Sequence, residues 1–483
     1  MPKRAGLLVA GFLLAGVLAA CAPTFASGAT LVATPLGPLA MLTWGAATAD
    51  AGKSIASYRV EVDGAQVALV PGSATSCVLT GLAPSTSYLL RVTAYDSENA
   101  WSGDLGGDME ASGRVQATYV TGPAVGGGAV RNCVSPTDSD GDRLPNAVET
   151  NNGVFVSAAS TGTNPGLADS DGDGLRDGDE TLGTTAGLDL PTLGTKPVRK
   201  DLLFEFDWFD DSISCGVHSH RPTANAVNRL TSAFAAAPVV NLDSSTGVNV
   251  IADYGQGGAF TGGSLVPDAD GVLSSGVNST EFNTLKHAQF ANQREGYFHY
   301  TVMPHNYNVN STSSGQAEIL GDDLIVSLQC AGSDRNVANT IMHEVGHNLN
   351  LRHGGNVDTP NYKPNYNSVM NYRYQFPGID TDCDAAGDGV LAYSTGARAS
   401  LNEASLLETN GVCNGVDIDW NGNAVIDAGP VAADINNLDG LFSILGDNND
   451  WAAMNFGAIN DADGAPVGEP EVITEQPVPL WAY

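Results

Sequence analysis

Residues 333–354 read Ser-Asp-Arg-Asn-Val-Ala-Asn-Thr-Ile-Met-His-Glu-Val-Gly-His-Asn-Leu-Asn-Leu-Arg-His-Gly. A helix-start signal followed by apolar residues at helical spacing predicts a helix in this stretch. His343 and His347 lie four residues apart, so both imidazoles leave the same face of that helix. Neutral imidazole is a preferred zinc ligand. After a turn, His353 can supply a third nitrogen and leave one coordination position open for water.

Glu344 follows the first of these histidines. From there its carboxylate can reach a metal-bound water without itself binding zinc, which is the position of a general base. A His-Glu-x-x-His pattern alone often arises by chance, but a third histidine at this offset makes coincidence on the order of one in ten thousand. The sequence therefore predicts a zinc site on His343, His347 and His353.

Two stretches together resemble the metzincin family of zinc metallopeptidases. One is the spacing His-Glu-x-x-His-x-x-Asn-x-x-His-Gly that starts at His343, and the other is Ser368-Val-Met-Asn-Tyr, which resembles the Met-turn of the family. Strand alternation from Asp201 and helical spacing at 224–235 predict an α/β or α+β domain running to about residue 460. The resemblance implies a metzincin-like catalytic domain in which Met370 forms a hydrophobic floor beneath the metal. It also implies that Tyr372 binds zinc at rest or donates to the oxyanion. We therefore expect an endopeptidase that hydrolyses protein or peptide substrates through a zinc-activated water, with Glu344 as the base.

Asn350 departs from this resemblance, because the family usually has glycine at that position. The position needs a left-handed backbone to turn the chain toward the third histidine. Asparagine tolerates that conformation best after glycine, so we expect a positive φ at Asn350.

The segment 137–195 contains two acidic runs with one shared spacing. Oxygen-bearing side chains occupy positions one, three, five, nine and twelve of each run: Asp138, Asp140, Asp142, Asn146 and Glu149, then Asp169, Asp171, Asp173, Asp177 and Glu180. Such a spacing lets one short loop wrap Ca²⁺, with a backbone carbonyl at position seven. The runs resemble thrombospondin type 3 calcium repeats. The alternative, an acidic disordered linker, does not explain the recurrence. A loop at 419–427 matches only the first nine positions, so calcium and a plain turn both stay open there.

The N-terminus resembles an export signal. Lys3 and Arg4 precede an apolar run, Leu7 to Leu18, that is too short to span a bilayer as a mature helix. The run leads into Leu-Ala-Ala-Cys, which resembles the bacterial lipobox and implies a lipidated Cys21 after removal of residues 1–20. Ordinary signal cleavage nearby is the alternative. We expect an exported protein, either a cell-envelope lipoprotein that contacts the membrane through this lipid only or an extracellular one.

Residues 36–120 carry strand-period alternation, as at Tyr58 and Val60. With Trp44 in an early strand and Tyr88 at the start of a late one, the segment resembles a fibronectin type III β-sandwich in which the tyrosine closes a tyrosine corner. The resemblance implies adhesion or substrate docking, and a spacer role is the alternative.

Six cysteines follow Cys21, and none forms a Cys-x-x-Cys pair. An even number in an exported chain favours disulfides, although six cysteines allow fifteen connectivities. Proximity in sequence favours Cys383 with Cys413. Cys215 and Cys330 would then form the second bridge of the catalytic domain, which leaves Cys77 and Cys133 to pair or stay free. Cys133 also admits a thiolate switch on zinc, but the flanking residues of the known switch are absent.

Five other histidines are expected to have structural roles. His218 and His220 either line the site or help to fold the start of the catalytic domain. The remaining three, His287, His299 and His305, are expected to be hydrogen-bonded residues rather than ligands.

The 483-residue chain carries 54 acidic against 21 basic residues, a formal net charge of -33. Such a surface repels phosphate backbones, so nucleic acid is excluded as an expected partner.

The sequence predicts a multidomain chain: signal peptide 1–20, tether 21–35, β-sandwich 36–120, Gly-rich linker 121–136, calcium-binding repeats 137–195, zinc metallopeptidase domain 196–460 and tail 461–483. The competing hypothesis is a calcium-dependent envelope adhesin with an inactive protease domain. The sequence indicates neither the oligomeric state nor the cleavage specificity.

Overall fold

The computed structural model describes residues 22–98, 114–123, 128–267, 270–308, 311–436, 440–457, 459 and 471–474. They fall into two compact units that divide between Thr137 and Asp138. The predicted signal peptide and Cys21 lie outside the described residues. Within the described ranges, no helix combines the length and the apolar character needed to cross a bilayer.

The first unit is the predicted β-sandwich. Its described residues form β1 (Leu31–Leu36), β2 (Leu39–Trp44), β3 (Ile55–Val62), β4 (Ala65–Pro71), β5 (Ser76–Thr80), β6 (Ser87–Asp96), β7 (Arg114–Val120) and β8 (Asn132–Val134). One antiparallel sheet has the order β1-β2-β5-β8, and the other has the order β4-β3-β6-β7. Buried side chains from both sheets share one core.

The core of the sandwich contains the two aromatic features that the sequence predicted. Trp44 is buried against Tyr58, with ring centroids 5.6 Å apart. The phenol oxygen of Tyr88 accepts a hydrogen bond of 2.8 Å from the N–H group of Ala83. This bond closes the loop ahead of β6, so the predicted tyrosine corner is confirmed.

The sandwich extends beyond the predicted range 36–120 at both ends. β1 uses residues that the sequence assigns to the tether, because they pair in register with β2. β8 lies in the predicted Gly-rich linker, where it pairs with β5. Cys133 in β8 also forms a disulfide with Cys77. Neither boundary follows from local composition, since both depend on pairing with distant strands.

The second unit mixes helices and strands. Its elements are α1 (Asp177–Leu182), α2 (Leu190–Leu193), β9 (Asp201–Trp208), β10 (Asp210–Asp211), β11 (His218–Ser219), α3 (Ala224–Ala235), β12 (Asn249–Asp253), β13 (Val272–Leu273), α4 (Thr280–Gln289), a short 3-10 helix (Asn292–Arg294), β14 (Phe298–Met303), β15 (Asn306–Tyr307), β16 (Gly315–Ile319), β17 (Asp323–Val326), α5 (Asp334–Asn348), β18 (Leu401–Asn402), β19 (Ile444–Leu445), α6 (Asp450–Ala453) and β20 (Glu471–Thr474).

The main sheet of this unit has the order β12-β9-β14-β17-β16-β20. β12, β9, β14 and β17 run parallel, whereas β16 runs antiparallel to both of its neighbours. β9 is buried along nearly its whole length, as expected for a parallel strand with both faces covered. The mixed α and β character predicted for this part of the chain is present.

Helix α5 packs with α3 against the sheet. Leu230 of α3, Ile341 and Val345 of α5 and Phe204 of β9 belong to one buried cluster. From Asn336 to its end, every residue of α5 is buried. A helix that is enclosed on all sides cannot leave its polar side chains to water, so they need partners inside the protein.

Two segments that the sequence assigns separately join the second unit. Residues 138–195, which carry the predicted calcium loops, belong to the same compact unit as the residues that follow them. The link is direct, because the Asp201 N–H group at the start of β9 donates to Asp173 Oδ2 at 2.7 Å. The predicted tail 461–483 contributes β20, which pairs with β16, while its other residues lie outside the described ranges. Long-range contacts that composition does not encode bring both segments into the unit.

Tyr88→Phe removes the acceptor of the Ala83 N–H group and should destabilise the sandwich by about 1 kcal/mol. Amide hydrogen exchange in β6 should then be roughly fivefold faster, as measured by mass spectrometry on the intact chain. Tyr95→Phe is the matched control, because Tyr95 lies on the same strand and is half-buried. Equal exchange in the two variants would show that the tyrosine corner contributes nothing measurable.

Candidate metal centre

Helix α5 is anchored at both ends. Ser333 Oγ accepts a hydrogen bond of 3.2 Å from a first-turn N–H group, the cap that the sequence predicted. Asn339 Nδ2 donates to Gln375 O at 2.8 Å. Near the other end, Asn348 Nδ2 donates to Glu318 O at 3.0 Å. These bonds fix the rotation of α5 about its axis, and with it the direction of the side chains on each face.

The three predicted histidines meet at the C-terminal end of α5. The ring centroids of His343 and His347 are 5.0 Å apart. That of His353 lies 5.4 Å from the first and 4.9 Å from the second. All three side chains are buried, and each offers one ligand atom within 4.8 Å of the others. Three converging imidazoles match the donor set of a zinc ion with an open fourth position.

Backbone carbonyls orient the two helix histidines. His343 Nδ1 lies 2.7 Å from Val369 O, and His347 Nδ1 lies 2.8 Å from Leu351 O. A carbonyl oxygen only accepts hydrogen bonds, so Nδ1 carries the proton in both rings and Nε2 keeps its lone pair. Nε2 is therefore the ligand atom of each ring.

A carboxylate orients the third histidine. His353 Nδ1 lies 2.6 Å from Asp358 Oδ1. The hydrogen bond from His353 lowers the pKa of the Asp358 carboxyl. Acceptors behind ligating imidazoles fix ring orientation and raise ring basicity. The residues present thus fit a zinc ion, both in their donor set and in the groups behind it.

The turn after α5 delivers His353. Asn350 has a φ of 82°, which confirms the left-handed conformation that the sequence predicted. Leu351 N–H then donates to Gly346 O at 2.8 Å. The turn has two effects, since it ends the helix and also places the Leu351 carbonyl behind the His347 ring.

Met370 packs against α5 between the two helix ligands. A β-carbon added at Gly346 would overlap the Met370 sulfur and come within 3.1 Å of Tyr393 Cε1. Glycine at 346 therefore lets the buried methionine approach the helix backbone. The adjacent Val369 supplies the carbonyl behind His343. One short segment thus packs against the helix and orients one ligand.

Tyr372 lies beside the three histidines. Its ring centroid is 4.3 Å from that of His353 and 5.9 Å from that of His343. Its backbone N–H donates to Asn361 Oδ1 at 3.2 Å, and the Tyr362 ring packs edge-on at 5.5 Å. The Tyr372 side chain is half-buried, so the phenol is held near the site and remains accessible.

Glu344 is fully buried and rests against β16. A β-carbon added at Gly315 in β16 would overlap Glu344 Oε1 and lie 2.6 Å from its Cδ atom. Gly315 is therefore needed for the close approach of the carboxylate to the strand backbone. Glu344 follows His343 in the helix, and its contact with β16 depends on Gly315, for which the sequence gave no signal.

The two acidic runs adopt one loop conformation. The Asp138 carboxylate accepts hydrogen bonds of 2.8 and 3.0 Å from the fourth and sixth N–H groups of its loop. Asp169 accepts the matching bonds at 2.7 and 2.9 Å. The sixth residues, Arg143 and Gly174, have φ values of 82° and 93°. The spacing that recurs in the sequence therefore recurs as geometry.

The ninth residue of each run braces its own loop. Asn146 Oδ1 accepts from the Ser139 N–H group at 2.9 Å, and Asp177 Oδ1 accepts from the Ser170 N–H group at 2.9 Å. Both were predicted as ligands. The matching bonds show that each of them also closes its loop.

Carboxylates from the two runs lie in compact groups. These groups are Asp138 with Asp140 and Asp142, then Asp142 with Glu149 and Asp177, and also Asp169 with Asp171 and Asp173. Burial, helped by neighbouring carboxylates, raises the pKa of Glu149 to about 8 and that of Asp171 to about 8. It raises the pKa of Glu180 well above its ordinary value, with Asp173 as the largest charged contributor. Both Asp171 oxygens are buried without a hydrogen-bond donor, so the loops contain negative charge that requires compensation.

Two further loops share this geometry to different extents. In 419–427, Asp419 Oδ2 accepts from the sixth N–H group at 2.7 Å. In 380–388, Asp380 accepts from the fourth and sixth N–H groups at 2.7 and 3.1 Å, and Asp388 accepts from the Thr381 N–H group at 2.6 Å. The sequence signal for the loop at 380–388 was its Asp-x-Asp-x-Asp start.

All six remaining cysteines are paired. The disulfides are Cys77–Cys133, Cys215–Cys330 and Cys383–Cys413, with Cα separations of 5.5, 5.9 and 5.4 Å. The two predicted pairs, Cys383–Cys413 and Cys215–Cys330, are confirmed, and Cys77 and Cys133, for which pairing was left open, also form a disulfide. The thiolate switch is wrong, because the Cys133 sulfur is held in a disulfide.

The other histidines divide into two classes. His299 and His287 have the hydrogen-bonded roles that were predicted, with Asn348 Oδ1 at 3.2 Å from the first and Asn283 O at 2.6 Å from the second. A second group forms elsewhere in the unit, and it consists of His218, His220, His305 and Asp211. The sequence did not indicate this group, because His305 is far from the others along the chain.

The sequence model of the fibronectin type III domain family matches residues 32–105. Solved structures that are similar to part of the chain include the sixth fibronectin type III domain of human fibronectin type III domain containing protein 3 (22% identity, 22% of this chain and 87% of that chain, TM-score 0.15). They also include the fibronectin(III)-like modules of Clostridium thermocellum CbhA (16% identity, 20% and 99% coverage, TM-score 0.16). A third is the Clostridium perfringens spore cortex lytic enzyme SleM (19% identity, TM-score 0.15), where the match covers 21% of this chain and 28% of SleM. No curated protein matches the chain. Residues 32–105 are thus a fibronectin type III domain.

Asn350→Val should weaken zinc binding roughly tenfold or more, because a β-branched residue is strained at positive φ and the turn delivers His353. Asn350→Gly should bind zinc at least as tightly as the native chain. Zinc titration of the three proteins measures this difference. Asn228→Val, at an exposed position in α3, is the matched control. If Asn350→Val binds zinc as tightly as the native chain does, His353 is not the third ligand.

Proposed function

We propose that the chain is an exported, zinc-dependent endopeptidase. The observation that carries this proposal is the convergence of His343, His347 and His353, each oriented through Nδ1, on the helix that also carries the buried Glu344. Three neutral imidazoles with acceptors behind them are typical of catalytic zinc sites, whereas structural sites have four protein ligands.

Zinc, when bound, supplies Lewis-acid chemistry: it lowers the pKa of a water molecule and polarises a carbonyl group. The residues of the chain account for the movement of protons. Glu344 accepts a proton from the attacking water and passes it to the leaving amine. The close contact of its carboxylate with Gly315 keeps the base in one position, and a fixed position favours a general base over a mobile side chain.

Tyr372 is suited to stabilise the oxyanion of the tetrahedral intermediate. A phenol donates a hydrogen bond without carrying charge, and a donor already in place needs no reorganisation during the reaction. The packing of its ring near His353 and Tyr362 supports such a fixed position. Direct binding of Tyr372 to zinc at rest stays the alternative.

Export is supported by the three disulfides, which form and persist in oxidising compartments. Lipid attachment at Cys21 remains a prediction from sequence. In this proposal the fibronectin type III domain either docks substrates or spaces the protease from its anchor. The competing function, a calcium-dependent adhesin, requires an inactive metal centre and is therefore separated from the protease by an activity assay.

Glu344→Gln should keep zinc and lose at least about a hundredfold in the rate of casein hydrolysis, since a general base is worth roughly that factor or more. Native activity should disappear with a zinc chelator and return with added zinc. Glu295→Gln, at an exposed glutamate, should behave like the native protein. If Glu344→Gln shows normal kinetics, the proposed mechanism is wrong. If the native chain hydrolyses no unfolded protein, the adhesin is the favoured function.

We also propose that the loops 138–149 and 169–180 bind calcium. The support is physical: buried carboxylates of both loops lie within reach of one another, and the Asp171 oxygens have no donor. A hard divalent cation with oxygen ligands would neutralise this charge. Because the loops belong to the second unit and contact β9, calcium would stabilise that unit without touching the zinc ligands.

Calcium at a hundredfold excess over its dissociation constant should raise the melting temperature of the calcium-free chain by about 4 °C. Asp171→Asn with Asp173→Asn should abolish most of this shift and leave the zinc content unchanged. Glu98→Gln is the control, because its side chain is 70% exposed. If added calcium leaves the melting temperature unchanged, the loops are solvated acidic segments that do not bind calcium.

A further inference from the structure

A second group of potential metal ligands joins two parts of the catalytic unit. Asp211 ends β10, His218 and His220 lie in and after β11, and His305 follows β14. Their ligand atoms all lie within 4.8 Å of one another. The His218 and His220 ring centroids are 4.6 Å apart, and each lies 5.4 Å from that of His305.

The carboxylate of this group is already oriented. Asp211 Oδ1 accepts a hydrogen bond of 2.7 Å from the Ile213 N–H group. Its Oδ2 atom lies 2.7 Å from His220 Nε2 and 3.4 Å from His305 Nδ1. His305 Nδ1 is buried, and its contact with Asp211 lacks the geometry of a hydrogen bond. A buried nitrogen therefore points at a carboxylate without being satisfied by it.

The backbone around the imidazoles is held as well. His218 Nδ1 donates to Gly216 O at 2.7 Å, which leaves its Nε2 atom with the lone pair. The main chains of His220 and His305 are each fixed by an N–H bond of 2.9 Å to a carbonyl of a neighbouring segment. Such second contacts orient metal ligands before the ion arrives.

We propose that this group is a second zinc site, one that stabilises the fold and takes no part in hydrolysis. Its ligands are Asp211, His218, His220 and His305. Three imidazoles and one carboxylate complete a tetrahedron, so no position stays open for substrate. Tetrahedral zinc places its donor atoms roughly 3.4 Å apart, which small side-chain movements reach from the observed spacing.

The position of the site explains what the ion would stabilise. β10 and β11 form a two-stranded hairpin, too small to be stable without further contacts. The Cys215–Cys330 disulfide already ties this hairpin to the segment before α5, and Cys215 Sγ lies 3.6 Å from His218 Nε2. Zinc would tie the same hairpin to the chain after β14. His218 and His220 line a cavity of about 410 Å³, through which an ion can enter.

The test measures zinc in the full-length chain with the first site removed. The His343→Ala/His347→Ala protein, dialysed with zinc and then against metal-free buffer, should retain about one zinc per chain by plasma mass spectrometry. Adding Asp211→Asn and His218→Ala should reduce this to about zero. Adding His287→Ala instead, at an exposed histidine outside both groups, should leave the content unchanged. Circular dichroism checks that each variant is folded.

Cobalt provides a second readout if the combined variant fails to fold. Co²⁺ added to the His343→Ala/His347→Ala protein should give the visible absorption of a tetrahedral site, and His218→Ala alone should weaken that absorption. A background protein that retains no zinc and shows no tetrahedral cobalt spectrum would overturn the proposal. Zinc content that Asp211→Asn and His218→Ala leave unchanged would do the same, and the group would then be a hydrogen-bonded cluster.

Discussion

The orientation of the imidazoles by acceptors outside α5 is the constraint on which the rest of the candidate site depends. A helix places His343 and His347 on one face, but ring rotation leaves the ligand atom undefined. The carbonyls of Val369 and Leu351 remove that freedom. Both carbonyls follow the helix in the chain, so the turn and the Met370 segment must pack against α5 to define the site. Binding of the proposed zinc ion would therefore be coupled to the folding of this unit.

Buried negative charge is a second constraint. Where the chain supplies a guanidinium, it neutralises its buried acids directly, as Arg294 does between Glu205 and Asp253. The chain has only 21 basic residues for 54 acidic ones, so basic side chains cannot neutralise every acidic one. Asp171 is the clearest case, because burial raises the pKa of its carboxyl even though the Lys200 charge opposes the rise. The calcium ions that we propose for the two acidic loops would supply compensating charge.

Local rules predicted the features that local sequence controls. The positive φ of Asn350 follows from one steric requirement, and the hydrogen bond to Tyr88 follows from the spacing of a loop. The pair Cys383–Cys413 was predicted from its short sequence separation, whereas the pairing of Cys77 with Cys133 was left open. Features that depend on distant partners were missed. These are the pairing of β8 with β5 and of β20 with β16, the approach of Gly315 to Glu344, and the meeting of His305 with the β10–β11 hairpin. Each of these joins segments whose relation is set only by the completed sheet.

The two histidine groups differ in a way that fits different roles. The group on α5 has three imidazoles and a base that stands outside the ligand set, so a position remains for chemistry. The group around Asp211 offers a fourth potential ligand and lies beside a disulfide, which fits the closed site that we propose. Its hairpin is tied to the segment that starts α5, where Ser333 caps the helix and Thr223 Oγ1 donates to Asp334 Oδ1 at 2.5 Å. Because reacting groups must be held to a fraction of an ångström, restraint at the start of α5 and the turn at Asn350 together hold the three histidines in the fixed frame that the proposed reaction requires.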